Sequence, residues 1–559
     1  MGETTVRAYR DVLAIPGARA LIGASAASQI GNWLYNAALL GYVYTATHSA
    51  GWVGAATICR LLPYVLLGPF GGAVADRYSR RTVLLAGDAL RLLVMAAIAA
   101  TVAAAGPVAL VIAFTAVASA AGCAEKPAAM GLLPRLVGET RLGPANALLH
   151  TVQDLGVLIG PAIGAILLGV APAWIAFLAN GATFAVSAVL ISTMRPDAAP
   201  ARGYASGVAQ LAEGLRTVRT TAFAPWLIVV VAMVEFTYGA QTVQLVVYAR
   251  QSLGLGSGGY GVLLTAAGAG GVLSAVANGR LSTSRRVSLI VITAGALACA
   301  AQFAYAGVQV LAVALAVTVI GNAGLVSCEV VGETALARIV PREALGRVIG
   351  VFDAVSVAAM VAGAVLAPVL VASLSLRASL LILGAAALAI TLLARLGLRG
   401  LDALNAQRAD ALASRVRVLE DLPVTVGVPQ IVLEQLAAAG QFCPLPPGID
   451  VVVQGAPAHA FYAVVDGRVV VHRDGKAVVH LGPGDSFGER GLLDHAPRNA
   501  TVTTEIDTTV LRVEGRTLLE ALEAAPGLRP ALDLSSTAPG VQVPAGETAV
   551  IDDPRWVET

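Results

Sequence analysis

Gly72-Ala73-Val74-Ala75-Asp76-Arg77-Tyr78-Ser79-Arg80-Arg81 is a charged turn between two apolar runs, residues 50–75 before it and 82–104 after it. Each run exceeds the about 20 residues that cross a bilayer as a helix. One carboxylate and three arginines in a short loop are what two membrane helices leave in water between them. Outward from this loop the pattern repeats. Apolar runs near 20–45, 50–75, 82–104, 106–130, 145–169, 171–193, 223–250, 258–280, 287–306, 308–328, 347–373 and 376–397 predict about twelve transmembrane helices.

Composition agrees. Of 559 residues, 57% are hydrophobic and 13% charged, with mean hydropathy +0.76. Soluble domains carry about 25% charged residues, so this chain has too few charges to cover a globular surface of its size. A formal net charge of +2 offers no cationic face for nucleic acid. Cys59, Cys123, Cys299, Cys328 and Cys443 form no C-x-x-C pair, so neither a zinc site nor a disulfide framework is expected. The first twenty residues lack the short apolar core of a cleaved signal peptide.

Charge sets the orientation. Arg77, Arg80 and Arg81 follow the second run; Lys126, Arg135 and Arg141 the fourth; Arg195, Arg202, Arg216 and Arg219 the sixth. Arg280, Arg285 and Arg286 follow the eighth, Arg338, Arg342 and Arg347 the tenth, Arg395 and Arg399 the last. The alternate loops are nearly bare, Arg250 and Arg377 excepted. Even-numbered exits and both chain ends are therefore expected in the cytoplasm. Gly279 to Arg286 in the second half repeats the placing of Gly72 to Arg81 in the first. Two related six-span halves are a transporter architecture.

Beyond residue 400 the texture changes. Residues 401–440 are charged and helix-forming. Short alternating strands follow from Gly448 to Val513, punctuated by Asp466-Gly467, Asp474-Gly475 and Gly482-Pro483-Gly484-Asp485. That reads as a small β-roll or jelly roll with flanking helices. The expected fold is thus an all-α membrane bundle of two pseudo-symmetric six-helix halves plus a small cytoplasmic β-domain. The divisions are 1–193, the first half; 194–222, a linker helix; 223–398, the second half; 399–429, a helical linker; 430–534, the β-domain; and 535–559, a flexible tail.

With Gly72, Asp76, Arg77, Arg80 and Arg81, the charged turn resembles the loop between the second and third spans of the major facilitator superfamily. Arg60-Leu-Leu-Pro63 and Asp88-Ala-Leu-Arg91 resemble its multidrug and siderophore exporter branch, and the likeness covers residues 15–398. In that family the loop locks the cytoplasmic side shut. Asp76 can meet a helix N-terminus and Arg80 or Arg81 a carboxylate. Gly156, Gly160, Pro161 and Gly164 resemble an antiporter motif of the fifth span. The three glycines share one helix face, and plain helix packing also accounts for them. No Arg-x-x-x-Gly pattern marks the fourth run.

Ionisable residues inside a bilayer are costly and usually functional. Glu235, Arg60, Asp154, Asp88 and Arg91 are the transport or coupling candidates. Asp88 and Arg91, three apart, are placed to neutralise one another, and Glu235, without an adjacent base, is the favoured protonation site.

Phe487-Gly488-Glu489-Arg490-Gly491-Leu492-Leu493, with Pro497-Arg498-Asn499-Ala500-Thr501, resembles the phosphate-binding cassette of cyclic-nucleotide-binding domains. The chemistry suits the ligand. Arg498 can pair with a cyclic phosphodiester, and backbone N–H groups from Gly488 to Leu492 can cap it. Glu489 can accept from a ribose 2′-OH, and Thr501 offers a hydroxyl. Asn499 stands where alanine accompanies cAMP and threonine cGMP in the kinases; cAMP is favoured. No long helix to close over the base is legible after Leu534. No nucleophile triad, metal cluster or Walker loop points to an enzyme. The expectation is a membrane exporter of a small molecule regulated by cyclic nucleotide. Its rivals are a transport-dead nucleotide receptor and a constitutive transporter with a structural β-roll.

Overall fold

The computed structural model describes residues 9–138, 141–195, 207–281, 284, 286–340, 342–422, 425, 428, 430–494 and 496–524. Arg202, Arg285, the tail at 535–559 and any lid beyond Leu534 lie outside them. The described residues form two compact units, and each is taken by itself.

The first unit is helical. Its first half holds α1 (Pro16–Thr47), α2 (Ala50–Arg77), α3 (Arg80–Ala103), α4 (Val108–Gly122), α5 (Glu125–Val137), α6 (Leu142–Val170) and α7 (Ala173–Ser192). A linker helix, α8 (Gly207–Thr220), follows. The second half holds α9 (Ala224–Gln251), α10 (Gly259–Leu281), α11 (Val287–Gly307), α12 (Leu311–Ile339), α13 (Arg342–Ser373) and α14 (Leu376–Gly397).

Eleven stretches are long and apolar enough to span a membrane, α4 and α5 together making one of them. The difference from the expected twelve or so lies at α1. That helix has 32 residues but is not among the eleven, because Ser25, Gln29, Asn32 and Asn36 interrupt its apolar face. The expected tenth run ended at 328, whereas α12 continues to Ile339 and carries Glu329 and Glu333 within it. The fourth run breaks between α4 and α5. A Cβ at Gly71 would stand 2.5 Å from the Cys123 carbonyl oxygen, so only glycine lets α2 approach that break.

The halves meet tightly at one end. Arg250 at the end of α9 donates to Thr45 Oγ1 of α1 at 2.9 Å, and Gln251 Nε2 to Tyr44 Oη at 3.0 Å. Ser257 Oγ donates to the Leu168 carbonyl of α6 at 2.6 Å. This employs Arg250, the exception to the loop-charge pattern. At the other end, a Cβ added at Gly68 or Gly72 of α2, or at Gly346 or Gly350 of α13, would meet nothing within 4 Å. α2 and α13 touch towards the tight end instead. Gly54, nearer the tight end of α2, lies against Pro368 of α13.

The second unit contains most of α15 (Leu401–Glu420), α16 (Gln430–Ala439), eight strands, α17 (Glu489–Leu493) and α18 (Gly515–Ala524). The strands are β1 (Gly440–Leu445), β2 (Asp450–Val452), β3 (Ala460–Asp466), β4 (Val469–Arg473), β5 (Lys476–Leu481), β6 (Ser486–Phe487), β7 (Thr501–Thr504) and β8 (Thr508–Glu514). Two antiparallel sheets, β1-β8-β3-β6 and β2-β7-β4-β5, make the roll. Val452, Val464, Val469, Phe487, Val502 and Val510 fill the space between them. The β4–β5 hairpin turns on Asp474 and Gly475, both at positive φ (52° and 76°), the geometry that Asp-Gly hairpins favour. β1 and β6 were not expected from the sequence. The linker boundary at 429 is corrected too. Val416, Leu419 and Leu422 of the supposed linker are buried with Leu433, Phe461, Leu511 and Leu518, so the domain's core begins in α15.

Candidate functional site

Inside the first half lies a cavity of about 340 Å³, walled by α1 to α7. The polar residues that weaken α1 as a membrane helix explain themselves here, since Ser25, Gln29 and Asn32 line it. Arg60 and Tyr64 come from α2, Arg91 from α3, Glu125 and Lys126 from α5, and Gln153 from α6.

The two arginines of this wall are treated differently. Arg91 donates to Asp88 Oδ1 at 2.7 Å and to Glu125 Oε2 at 2.5 Å. Ser187 Oγ supplies Asp88 Oδ2 at 2.6 Å, and the Arg91 guanidinium lies 4.4 Å over the Phe184 ring. Every charge in that cluster is answered. Asp88 and Arg91 do neutralise each other, with Glu125 as a third member. Arg60 has a buried Nε without a hydrogen-bond partner. It lines the cavity beside Tyr35 and Tyr64.

Glu235 is within electrostatic reach of Glu329 on α12, a residue sequence reasoning missed because its apolar run was closed one position too early. Asp154 stands beside His150, one turn away on α6, away from Arg60 and on a separate cleft with Asn278 and Asn322.

The charged turn ties down its own half. Arg80 donates to the Gly131 carbonyl at 2.5 Å, and Arg81 to the Ile191 and Ser192 carbonyls at 3.2 and 2.8 Å. These described partners are backbone carbonyls rather than the expected carboxylate. Asp76 and Arg77 are exposed. The glycines of α6 pack on α1: Cβ atoms at Gly156, Gly160 and Gly164 would stand 2.9, 2.6 and 2.9 Å from Gln29, Ile30 and Leu34. The Pro161 carbonyl, one residue on, faces Gly261 of α10. That motif is a seam of close helix packing between α1 and α10.

In the β-domain the cassette is built from a sharp turn. Gly488 has φ 90° and begins α17, and a Cβ there would lie 2.8 Å from Arg498 Nη1. Arg498 is buried and donates to the carbonyls of Gly488 at 2.5 Å and Ala460 at 2.7 Å. A guanidinium has five N–H donors, so these two bonds aim the group without exhausting it. Glu489 is also buried, and its Oε2 has no hydrogen-bond partner. Burial raises the Glu489 carboxyl above its ordinary range, with its own backbone N–H, Arg498 and Arg490 pulling the other way. Burial lowers Arg498, opposed by Tyr462 and Glu489. An orphaned acceptor beside a part-used guanidinium fits a ligand with a hydroxyl donor and an anionic oxygen.

The remaining cassette residues are dispersed around this pair. Phe487 stacks on Tyr462 with centroids 5.1 Å apart. Thr501 Oγ1 accepts from the Gln454 backbone N–H at 3.0 Å. Ala500 and Leu492 are buried in the roll, whereas Asn499 is exposed beside Arg490 and Gly491. Sequence reasoning did not foresee the Ala460 carbonyl, which only the folded roll brings to Arg498.

Comparison with known proteins gives two matches that divide the chain as the structure does. The Major Facilitator Superfamily profile matches residues 21–332, and the cyclic nucleotide-binding domain profile matches residues 443–525. The "Staphyloferrin A transporter" of Staphylococcus aureus is 28% identical over 163 residues, 29% of this chain and 41% of that protein. The cAMP-dependent protein kinase regulatory subunit of Colletotrichum orbiculare is 32% identical over 118 residues, 20% of this chain and 30% of that one. The chain thus spans well under half the length of these relatives. Among solved structures, the regulatory domain of Toxoplasma gondii PKA with cAMP is similar at 19% identity and TM-score 0.22, over 25% of this chain and 55% of that one.

Proposed function

The chain belongs to the major facilitator superfamily, and from that premise we propose that it exports a small organic molecule by alternating access under control of cAMP. The observation that carries the transport half is Arg60, whose buried Nε has no hydrogen-bond partner and whose side chain lines a cavity of about 340 Å³. The basic even-numbered loops support a cytoplasmic location for the charged turn, the chain ends and the β-domain. On that orientation the end joined by Arg250 and Thr45 is external, and the molecule is open towards the cytoplasm. Closure there brings Gly68 and Gly72 towards Gly346 and Gly350, with Asp76 reaching a helix N-terminus.

The cassette supports nucleotide binding through Arg498 and Glu489. Coupling runs through α15. Its first turn is rooted in the bundle, where Leu401 is fully buried and Asp402 accepts from Ser288 N at 2.8 Å and Ser288 Oγ at 2.6 Å. Its last turns belong to the β-domain core. A helix is a stiff rod of about 1.5 Å per residue. Nucleotide changes transport only insofar as it binds one gate state better than the other. Transport in proteoliposomes with and without cAMP, under an imposed pH gradient, tests the whole reading. Transport indifferent to a nucleotide that binds removes regulation, and absence of transport with binding intact leaves a receptor.

A further inference from the structure

Several polar groups that wall the first-half cavity are already bonded within the protein. Arg91 is held by Asp88 and Glu125. Tyr35 Oη and Thr115 Oγ1 share a hydrogen bond of 2.7 Å, and Asn180 Nδ2 donates to Met95 Sδ at 3.3 Å. Arg60 is different. It lines the same cavity, its Nε is buried without a partner, and among the described residues it makes no ion pair. Lys126 brings a second cation to the wall, and it too is in no ion pair among the described residues. Glu125 is the one carboxylate among the lining residues, and Arg91 occupies it. The cavity therefore presents a surplus of positive charge.

The sign of that surplus selects a ligand. A buried N–H without an acceptor has lost its hydration and gained nothing in return. A visiting cation adds like charge to that cost, and a neutral group answers the hydrogen bond but not the charge. The Nε–H and the neighbouring Nη–H form one edge of the guanidinium, and that edge matches the two oxygens of a carboxylate. Trp33, Met130, Leu149 and Phe184 give the same cavity an apolar side. Its volume, about 340 Å³, is that of a small-molecule pocket. We propose that this cavity takes an organic anion. Its carboxylate seats side-on at Arg60, the field of Lys126 adds to the attraction, and an apolar body lies against Trp33. Every lining residue comes from α1 to α7, so one half builds the whole site. The inference rests on the transporter reading and narrows its substrate class.

The test uses the full chain, purified in detergent, with no gradient. The probes are 2-naphthoate, its neutral amide and the cationic 2-(aminomethyl)naphthalene, with benzoate, benzamide and benzylamine as a smaller set. The acid is expected to bind at least about tenfold more tightly than its amide or amine, the ordinary worth of one charged contact. Arg60→Gln should erase that preference with the thermal transition unmoved. Arg60→Lys should keep part of it, since the charge stays and the two-point edge is lost. Trp33→Ala should weaken acid and amide alike and leave their ratio as it was. An amide or amine that binds as well as its acid overturns the proposal. So does a preference for the acid that survives Arg60→Gln, and so does failure of both acids to bind. Binding of the acids without flux in proteoliposomes sinks the transporter reading alone. Flux of the amines with both acids rejected sinks this inference alone.

Discussion

The helical bundle and the β-domain each bury an arginine beside a carboxylate, and they satisfy it differently. In the bundle, Arg91 is answered by Asp88 and Glu125, and Asp88 in turn by Ser187. In the β-domain, Arg498 leans on two backbone carbonyls while Glu489 Oε2 stays orphaned. A closed network of charges stabilises a fold and offers nothing to a visitor. A half-closed one stores the cost of an unmade bond until a ligand supplies it. The difference separates a closed cluster from one that still has bonds to offer, within one chain.

The sharpest way to break this comparison is to delete the answered arginine. Arg91→Ala leaves the buried Asp88 and the half-buried Glu125 without their cation. Removing one partner of a buried pair costs about 3–5 kcal/mol, so the bundle's thermal transition in detergent should fall steeply. An unchanged transition would mean the cluster is not what holds α3, α5 and α7 together. Arg60→Gln, by contrast, should leave that transition where it is.

Arg498→Ala is the counterpart in the β-domain. Loss of the desolvated contact should weaken cAMP by about 2–5 kcal/mol, read by calorimetry on the full chain. Affinity within a factor of two of the parent's would take the phosphate away from Arg498. Pairing the same substitution with transport assays separates binding from coupling.

What the sequence made legible follows the same division. The cassette is one continuous stretch, 487–501, whose glycines, carboxylate and arginine act on neighbours close in the chain, so it was readable before any fold. The bundle site is not local. Arg60, Glu125 and Gln153 line one cavity from α2, α5 and α6, and no spacing joins them. Glu329 was missed because a hydropathy run stops at a charge while a helix need not. Glu125 is not legible as part of the cluster, because its partner, Arg91, is 34 positions away. β1 escaped because its residues alternate poorly, and it becomes a strand by pairing with β8 from Gly440 with Val513 to Leu445 with Thr508.

A smaller effect is expected at the exposed Asp76. A carboxylate in water that meets a helix N-terminus only on closure contributes about 0.3–1 kcal/mol. Asp76→Asn should therefore shift the population towards the state open at that end by about two- to fivefold, with the thermal transition unmoved. Spin-label distances between the ends of α2 and α13 read the shift. Distances that do not change would leave Asp76 without a part in the gate.

The subtlest effect is at Glu489, and its sign is the informative part. Burial raises this carboxyl above the ordinary glutamate value of 4.5, so the folded, nucleotide-free domain binds a proton more readily than the unfolded chain. Stability from this group is therefore greatest at low pH, and it declines as pH rises from about the unfolded value through the folded one. Glu489→Gln removes the ionisable group. The difference in stability between variant and parent should grow in the variant's favour with rising pH across that window, then level off. Nucleotide affinity should move the opposite way, since glutamine's carbonyl is a weaker acceptor for the ribose hydroxyl than a carboxylate. A variant that loses stability at neutral pH would mean that the orphaned oxygen is answered inside the protein and that the β-domain's network is closed, as the bundle's is.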